Sequence, residues 1–147
     1  MGSLTLPSSG SVYVDAQVLI YSVEKHPVFA PLLRPLWAAV QNESIEAVTS
    51  ELSLMETLVG PLKRGDARLQ SDYERLFSHR GLRLLPVTQP VLRQAAFLRA
   101  TVSSLRTPDA IHAAASLLHR SAAFVTNDGV FRNLQALSPI ILADVLP

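Results

Sequence analysis

The stretch Ser11-Val12-Tyr13-Val14-Asp15-Ala16-Gln17-Val18-Leu19-Ile20-Tyr21-Ser22-Val23-Glu24 changes its period at an acid. Before Asp15 a short β-branched and aromatic run reads as a strand. After it, residues 17–24 carry apolar side chains at helical spacing. The same alternation returns along the chain. Residues 45–48 read as a second strand, and Thr49-Ser50 as the cap of a helix over 51–59 that Gly60-Pro61 stops. Residues 82–87 read as a third strand, 122–126 as a fourth and 139–142 as the last. Helical faces cover about 29–40 (its start obscured by Pro31 and Pro35), 69–77, 90–101, 107–119 and, briefly, 130–134. Strands alternating with helices imply an α/β fold: helices on both faces of a mainly parallel sheet of four to five strands.

At 147 residues the chain makes one domain with room for a core that needs no covalent staple. Its expected layout is a flexible N-terminal leader over 1–10 and a single domain over 11–147. There is no cysteine, which excludes disulfides and thiolate metal sites and fits a reducing cytoplasm. The leader lacks the basic region and apolar run of a signal peptide, and no stretch nears the ~18 apolar residues of a membrane span. The expectation is a cytoplasmic chain with no membrane partner. A net charge of +1 supplies no bulk basic field for nucleic acid. The thirteen basic residues are eleven Arg and two Lys; Arg suits bidentate phosphate contact, and G- and C-rich codon usage gives the same bias. With 48% hydrophobic residues and a mean hydropathy of +0.25, some apolar surface is expected to be covered by a partner or a second copy.

Ligands of parallel α/β sheets bind outside the carboxyl ends of the strands, which draws attention to four acids. Asp15 ends the first strand, and Asp128 lies two residues past the fourth. Asp109 follows Arg106-Thr107-Pro108, where Thr107 reads as an N-cap, Pro108 as the first helical residue and Asp109 as a first-turn acid favoured by the helix dipole. Glu56 flanks a helix face marked by Leu52, Met55 and Val59. Taken singly, each acid has an ordinary structural explanation. Together, carboxylates gathered on one sheet edge repel one another unless a cation or a proton neutralises them. Oxygen ligands without cysteine select Mg²⁺ or Mn²⁺ over zinc, and such ions serve phosphoryl transfer or phosphodiester hydrolysis. No Gly-rich phosphate loop, G-x-S-x-G or H-E-x-x-H motif competes. His112, one turn after Asp109, reads as a helix-face residue satisfied by a neighbour and stays outside the core set.

Four segments, in order, resemble the PIN-domain ribonucleases, and within them the toxin halves of VapBC-type toxin–antitoxin pairs. They are residues 12–21 around Asp15, 49–59 around Glu56, 106–114 around Asp109 and 124–131 around Asp128. The resemblance implies a PIN-like three-layer α/β/α fold. It implies that Asp15, Glu56, Asp109 and Asp128 hold Mg²⁺ or Mn²⁺, Asp15 and Asp109 most directly, Glu56 and Asp128 through water or by placing the attacking water. Thr126 and Asn127 match the polar supports beside the last acid. Ala16 and Gln17 stand where the family usually carries hydroxyl or amide residues, and Ala16 has no hydrogen-bonding side chain. The resemblance further implies endonucleolytic cleavage of RNA by water, leaving 5′-phosphate and 3′-hydroxyl ends. Homodimerisation, and inhibition by a small antitoxin protein, are also implied. Arg106, beside the site, is a candidate contact to the RNA backbone.

Two unlike readings compete. A PIN-like module that binds RNA or protein without cutting has no need of four mutually repelling acids. A metal-dependent phosphatase on an α/β sheet would call for a nucleophilic D-x-D pattern after the first strand, which Asp15-Ala16-Gln17 does not supply.

Overall fold

The structure, a computed structural model, describes residues 2–147; Met1, the first residue of the expected leader, lies outside the described residues. Its centre is a sheet of five parallel strands: β1 (Ser11–Val14), β2 (Glu46–Ser50), β3 (Leu82–Leu85), β4 (Ala123–Thr126) and β5 (Pro139–Ile141). Their spatial order is β3-β2-β1-β4-β5. The chain therefore builds outward from β1 in one direction, then returns to its other side, and the order reverses between β1 and β4. Register pairs Val12 with Ala123, Tyr13 with Phe124 and Val14 with Val125, so Asp15 and Thr126 leave adjacent strands side by side.

Among the described residues seven α-helices complete the fold: α1 (Ala16–Val23), α2 (Phe29–Gln41), α3 (Leu52–Arg64), α4 (Ala67–Phe77), α5 (Gln89–Thr101), α6 (Thr107–His119) and α7 (Leu142–Val145). Alternation along each strand divides the core in two. Tyr13, Val48 and Phe124 point to the face covered by α5 and α6, where Leu98, Ala110, Ala113 and Ala114 meet them. Val12, Val14, Ala47 and Val125 point to the opposite face, against Val18 and Leu19 of α1 and Leu33 and Leu36 of α2. Both faces are thus apolar, as a parallel sheet requires. The alanines of α6 let that helix lie close on the sheet, and truncating Phe124 among them would cost about 3–5 kcal/mol. Leu4, ahead of β1, is also buried in the α1–α2 side of the core.

Five local expectations are corrected. The helix expected to stop at Gly60-Pro61 runs on to Arg64, and Gly65 closes it at φ +65°. Pro61 is buried there, completing a stripe with Ser53 and Thr57 at i, i+4 and i+8. That stripe, and not Leu52, Met55 and Val59, is the buried face; Met55 is 63% exposed and Val59 47%. The helix α6 starts one residue early: Arg106 takes the cap position, and Thr107 and Pro108 are the first two helical residues. The expected helix at 130–134 is two single 3-10 turns, Gly129–Phe131 and Gln135–Leu137, and the last strand ends at Ile141 because Leu142 opens the short α7.

Candidate active site

Three of the four acids stand at helix starts, for the same physical reason: each carboxylate satisfies a backbone N–H that has no intrahelical partner. Asp15 caps α1, its Oδ1 accepting from the Val18 N–H at 3.1 Å. Asp109 is the third residue of α6, and its Oδ2 accepts from the Arg106 N–H at 3.0 Å, the reach-back half of a capping box. Asp128 caps the turn Gly129–Phe131 through the Val130 N–H at 3.0 Å. Glu56 comes from the middle of α3, on the flank of its buried stripe.

All four line one cleft of about 530 Å³, together with Gln17, Tyr21, Arg106, His112 and Asn127. The cleft lies past the carboxyl ends of β1 and β4, where the strand order reverses, the position at which open α/β sheets bind ligands. A larger cleft, about 840 Å³, sits at the other end of the sheet around Gly10, Ile45 and Gly81. It brings together none of the four acids, so chemistry and not size marks the site.

The strand ends are tied tightly. Thr126 Oγ1 donates to Asp15 Oδ2 at 2.5 Å and accepts from the Asp128 N–H at 3.1 Å. Asn127 turns its amide the other way, donating to the Tyr21 hydroxyl at 3.1 Å and accepting from the Ala143 N–H at 2.9 Å. It thereby anchors α7 beside the site. Burial pushes the Asp15 carboxyl above the usual carboxylate range, against the pull of His112, Thr126 and the Val18 N–H, and the charge of Glu56 adds to the rise. Arg106 spans two acids, its Nε 3.3 Å from Asp109 Oδ2 and a terminal nitrogen 3.8 Å from Asp128 Oδ2. Its side chain is 77% exposed, so it screens the pair without burying a charge.

The residue that pattern-reading left aside is His112. It is buried, with Nε2 2.6 Å from Glu56 Oε1 and Nδ1 2.6 Å from the Tyr13 hydroxyl. One signal for it was in the sequence: Asp109 and His112 stand at i and i+3, one turn apart on the same side of the helix.

The donor set suits a hard divalent cation. It consists of carboxylate oxygens, with neither thiolate nor an imidazole cluster. Asp109 and Glu56 each commit one oxygen to the protein, leaving Asp109 Oδ1 and Glu56 Oε2 without a protein hydrogen bond among the described residues. Among the described residues no three acidic or imidazole side chains are drawn into one chelating group. An ion here would accordingly be held by one or two carboxylates with water completing its shell, the habit of Mg²⁺.

Residues 12–137 match the PIN domain family. The chain belongs to the PIN-domain family. No curated protein sequence matches the chain. Solved structures share the PIN fold at low identity. The structure of VapBC2 from Rickettsia felis bound to a promoter DNA fragment aligns with a TM-score of 0.70 at 17% identity, covering 88% of this chain and 98% of that one. A toxin–antitoxin complex from Klebsiella pneumoniae aligns at 0.68 and 20% identity, covering 88% and 95%. VapBC-5 from Mycobacterium tuberculosis aligns at 0.56 and 21% identity, covering 92% and 98%. The mainly parallel sheet of four to five strands expected from the alternating pattern is, in this PIN domain, five-stranded and parallel throughout, with the four acids gathered at its switch point.

Proposed function

We propose that this PIN domain is a divalent-metal-dependent endoribonuclease, acting in the cytoplasm as the toxin of a toxin–antitoxin pair. The observation that carries the reading is the convergence of Asp15, Glu56, Asp109 and Asp128 in one cleft at the sheet's switch point. The proposed domain spans residues 11–147, with 1–10 as a leader whose Leu4 packs into the α1–α2 side of the core. A bound Mg²⁺ or Mn²⁺ would screen the substrate phosphate from the carboxylates, lower the pKa of a water and stabilise charge on the leaving oxygen. Asp15 and Asp109 are the direct ligands in this reading, and Thr126 holds Asp15 in place. Glu56 Oε2 orients the attacking water, and Asp128, which lines the same cleft, assists it. Water adds to phosphorus in line with the departing 3′ oxygen, which takes up a proton; a 5′-phosphate and a 3′-hydroxyl remain. Arg106, exposed at the rim, contacts the RNA backbone.

The toxin role draws on the fold's neighbours, which come from VapBC and other toxin–antitoxin complexes. A small antitoxin and a second copy of this chain are the proposed protein partners. Exposed apolar residues on α3 and α5, among them Met55, Leu62 and Phe97, support covered surface of this kind.

Purified protein with Mg²⁺ or Mn²⁺ should cut structured RNA and stop with EDTA. Asp15→Asn and Asp109→Asn should each remain folded and lose cutting. Cleavage that persists in both variants would remove the site from the reading, and tight RNA binding without cutting would establish the non-cleaving module instead. For the toxin role, inducing the chain alone should arrest growth, and co-expressing the adjacent small open reading frame should relieve the arrest.

A further inference from the structure

We propose that His112, itself oriented by Tyr13, is a positioning residue that fixes the Glu56 carboxylate in the cleft. The inference rests on the nuclease reading above and deepens it. The four groups form one chain drawn from β1, the end of β2, α6 and α3. The Ser50 N–H donates to the Tyr13 hydroxyl at 3.0 Å, which meets His112 Nδ1 at 2.6 Å, and His112 Nε2 meets Glu56 Oε1 at 2.6 Å.

Hydrogen-bond accounting gives the chain a direction. The Ser50 N–H occupies a lone pair of the Tyr13 oxygen, so the single hydroxyl proton is free to go to Nδ1. Nδ1 then accepts, Nε2 carries the ring proton, and that proton points at the Glu56 carboxylate. The Tyr13 ring is held in turn, stacked on Phe124 with centroids 5.0 Å apart and planes 1° from parallel, with its edge toward His112.

Packing alone gives no reason for this arrangement. Tyr13 and His112 lie on the α5–α6 side of the core, beside Ala110 and Ala113, where apolar side chains would avoid burying a hydroxyl and an imidazole. Glu56 borders the cleft and has water available, so its own solvation does not require a buried imidazole. What it gains is a fixed rotamer for a long side chain on the flank of α3. Oε2 is thereby presented in one place, as supporting partners do for metal-site and catalytic carboxylates.

The test uses the two amides that imitate different nitrogens of the ring. His112→Gln carries its N–H₂ near the position of Nε2 and keeps a donor for Glu56. His112→Asn places its amide near Nδ1 and keeps only the Tyr13 side. With the full-length protein, His112→Asn and Tyr13→Phe should weaken Mn²⁺ binding or RNA cleavage by about 10–100-fold. His112→Gln should restore most of the loss. In the metal-free wild type, a slowly exchanging imidazole proton should appear on Nε2 in ¹H–¹⁵N spectra and shift in Glu56→Ala. Thermal unfolding of each variant separates this from loss of fold. If Gln and Asn variants fall together in step with their stability, or if the slowly exchanging ring proton is on Nδ1, the positioning role is overturned. A wild type that never cuts RNA would defeat the nuclease reading alone, because the ring-proton and Mn²⁺ measurements still decide the role of His112.

Discussion

Thr126 Oγ1 donates to Asp15 Oδ2 at 2.5 Å across the β1–β4 pair, joining the ends of two adjacent strands at the switch point of the sheet. Thr126 is fully buried, and the same oxygen accepts from the Asp128 N–H. One hydroxyl therefore sets the positions of two acids. Thr126→Val keeps the shape and removes both bonds, leaving a buried carboxylate oxygen without its donor. That should destabilise the metal-free protein by about 1–3 kcal/mol, read by urea unfolding at neutral pH. Thr126→Ser should restore most of the loss, and an unchanged midpoint in the Val variant would show that Asp15 does not depend on this donor.

Asp15 also makes stability depend on pH in an uncommon direction. Its folded-state pKa is raised above 3.8, chiefly by burial, so between the unfolded and folded values the native state binds more protons than the unfolded one. In that window stability falls as pH rises, and above the folded pKa the cost of the buried charge is fully present. Asp15→Asn retains an acceptor for the Val18 N–H and a group to pair with Thr126. The metal-free Asn variant should be more stable than wild type at neutral pH, with the difference vanishing on acidification below the usual carboxylate range. Calorimetry across pH 3–8 checks the sign. On the nuclease reading the same variant loses cutting, which makes Asp15 a site where function is kept at the expense of stability.

Arg106 supplies the charge that the acids lack. It is mostly exposed, so its ion pairs to Asp109 and Asp128 carry little folding energy, and Arg106→Gln should leave the unfolding midpoint nearly unchanged. Its effect is on occupancy of the cleft. Removing a cation that faces two carboxylates should tighten Mn²⁺ binding several-fold, while weakening RNA binding and flattening its salt dependence. Mn²⁺ titration of the metal-free variant, alongside RNA binding at two ionic strengths, separates the two effects. Equal loss of both would mean that Arg106 shapes the cleft and does not merely charge it.

The elements visible in the sequence were those whose local signals agree with their tertiary setting. The strand–acid–helix turn at Asp15 is one, since β-branched spacing, an N-cap acid and helical spacing all point the same way. The acids at Asp109 and Asp128 were legible because capping is a local property. Two features were not. Gly60-Pro61 is a local stop signal that burial of Pro61 overrides, and nothing in the local pattern reports that burial. The Tyr13–His112–Glu56 chain joins residues 99 and 56 positions apart, and only the assembled sheet brings them together.

The inverted α3 carries the last prediction. Hydrophobic residues in a helical pattern ordinarily mark the buried face, yet α3 buries Ser53, Thr57 and Pro61 and turns Met55, Val59 and Leu62 outward. Thr57 makes this possible by bonding the Ser53 carbonyl at 2.7 Å, so its hydroxyl is satisfied inside the protein. The outward residues, with Leu54 and Leu58, line one apolar groove that Lys63 borders. Because this surface is exposed, Met55→Glu and Leu62→Glu should change folding stability by no more than about 0.5 kcal/mol each. On the toxin reading proposed above, the double variant should nevertheless lose binding to the proposed antitoxin in co-purification or, if the face joins two copies, run as a monomer in sedimentation velocity. Thr57→Leu should do the reverse. It leaves the outer face intact but forces a larger side chain against the protein interior, and should lower the unfolding midpoint by roughly 1–3 kcal/mol. If the Glu double variant unfolds like the Leu variant, the exposed face belongs to the fold and not to a partner.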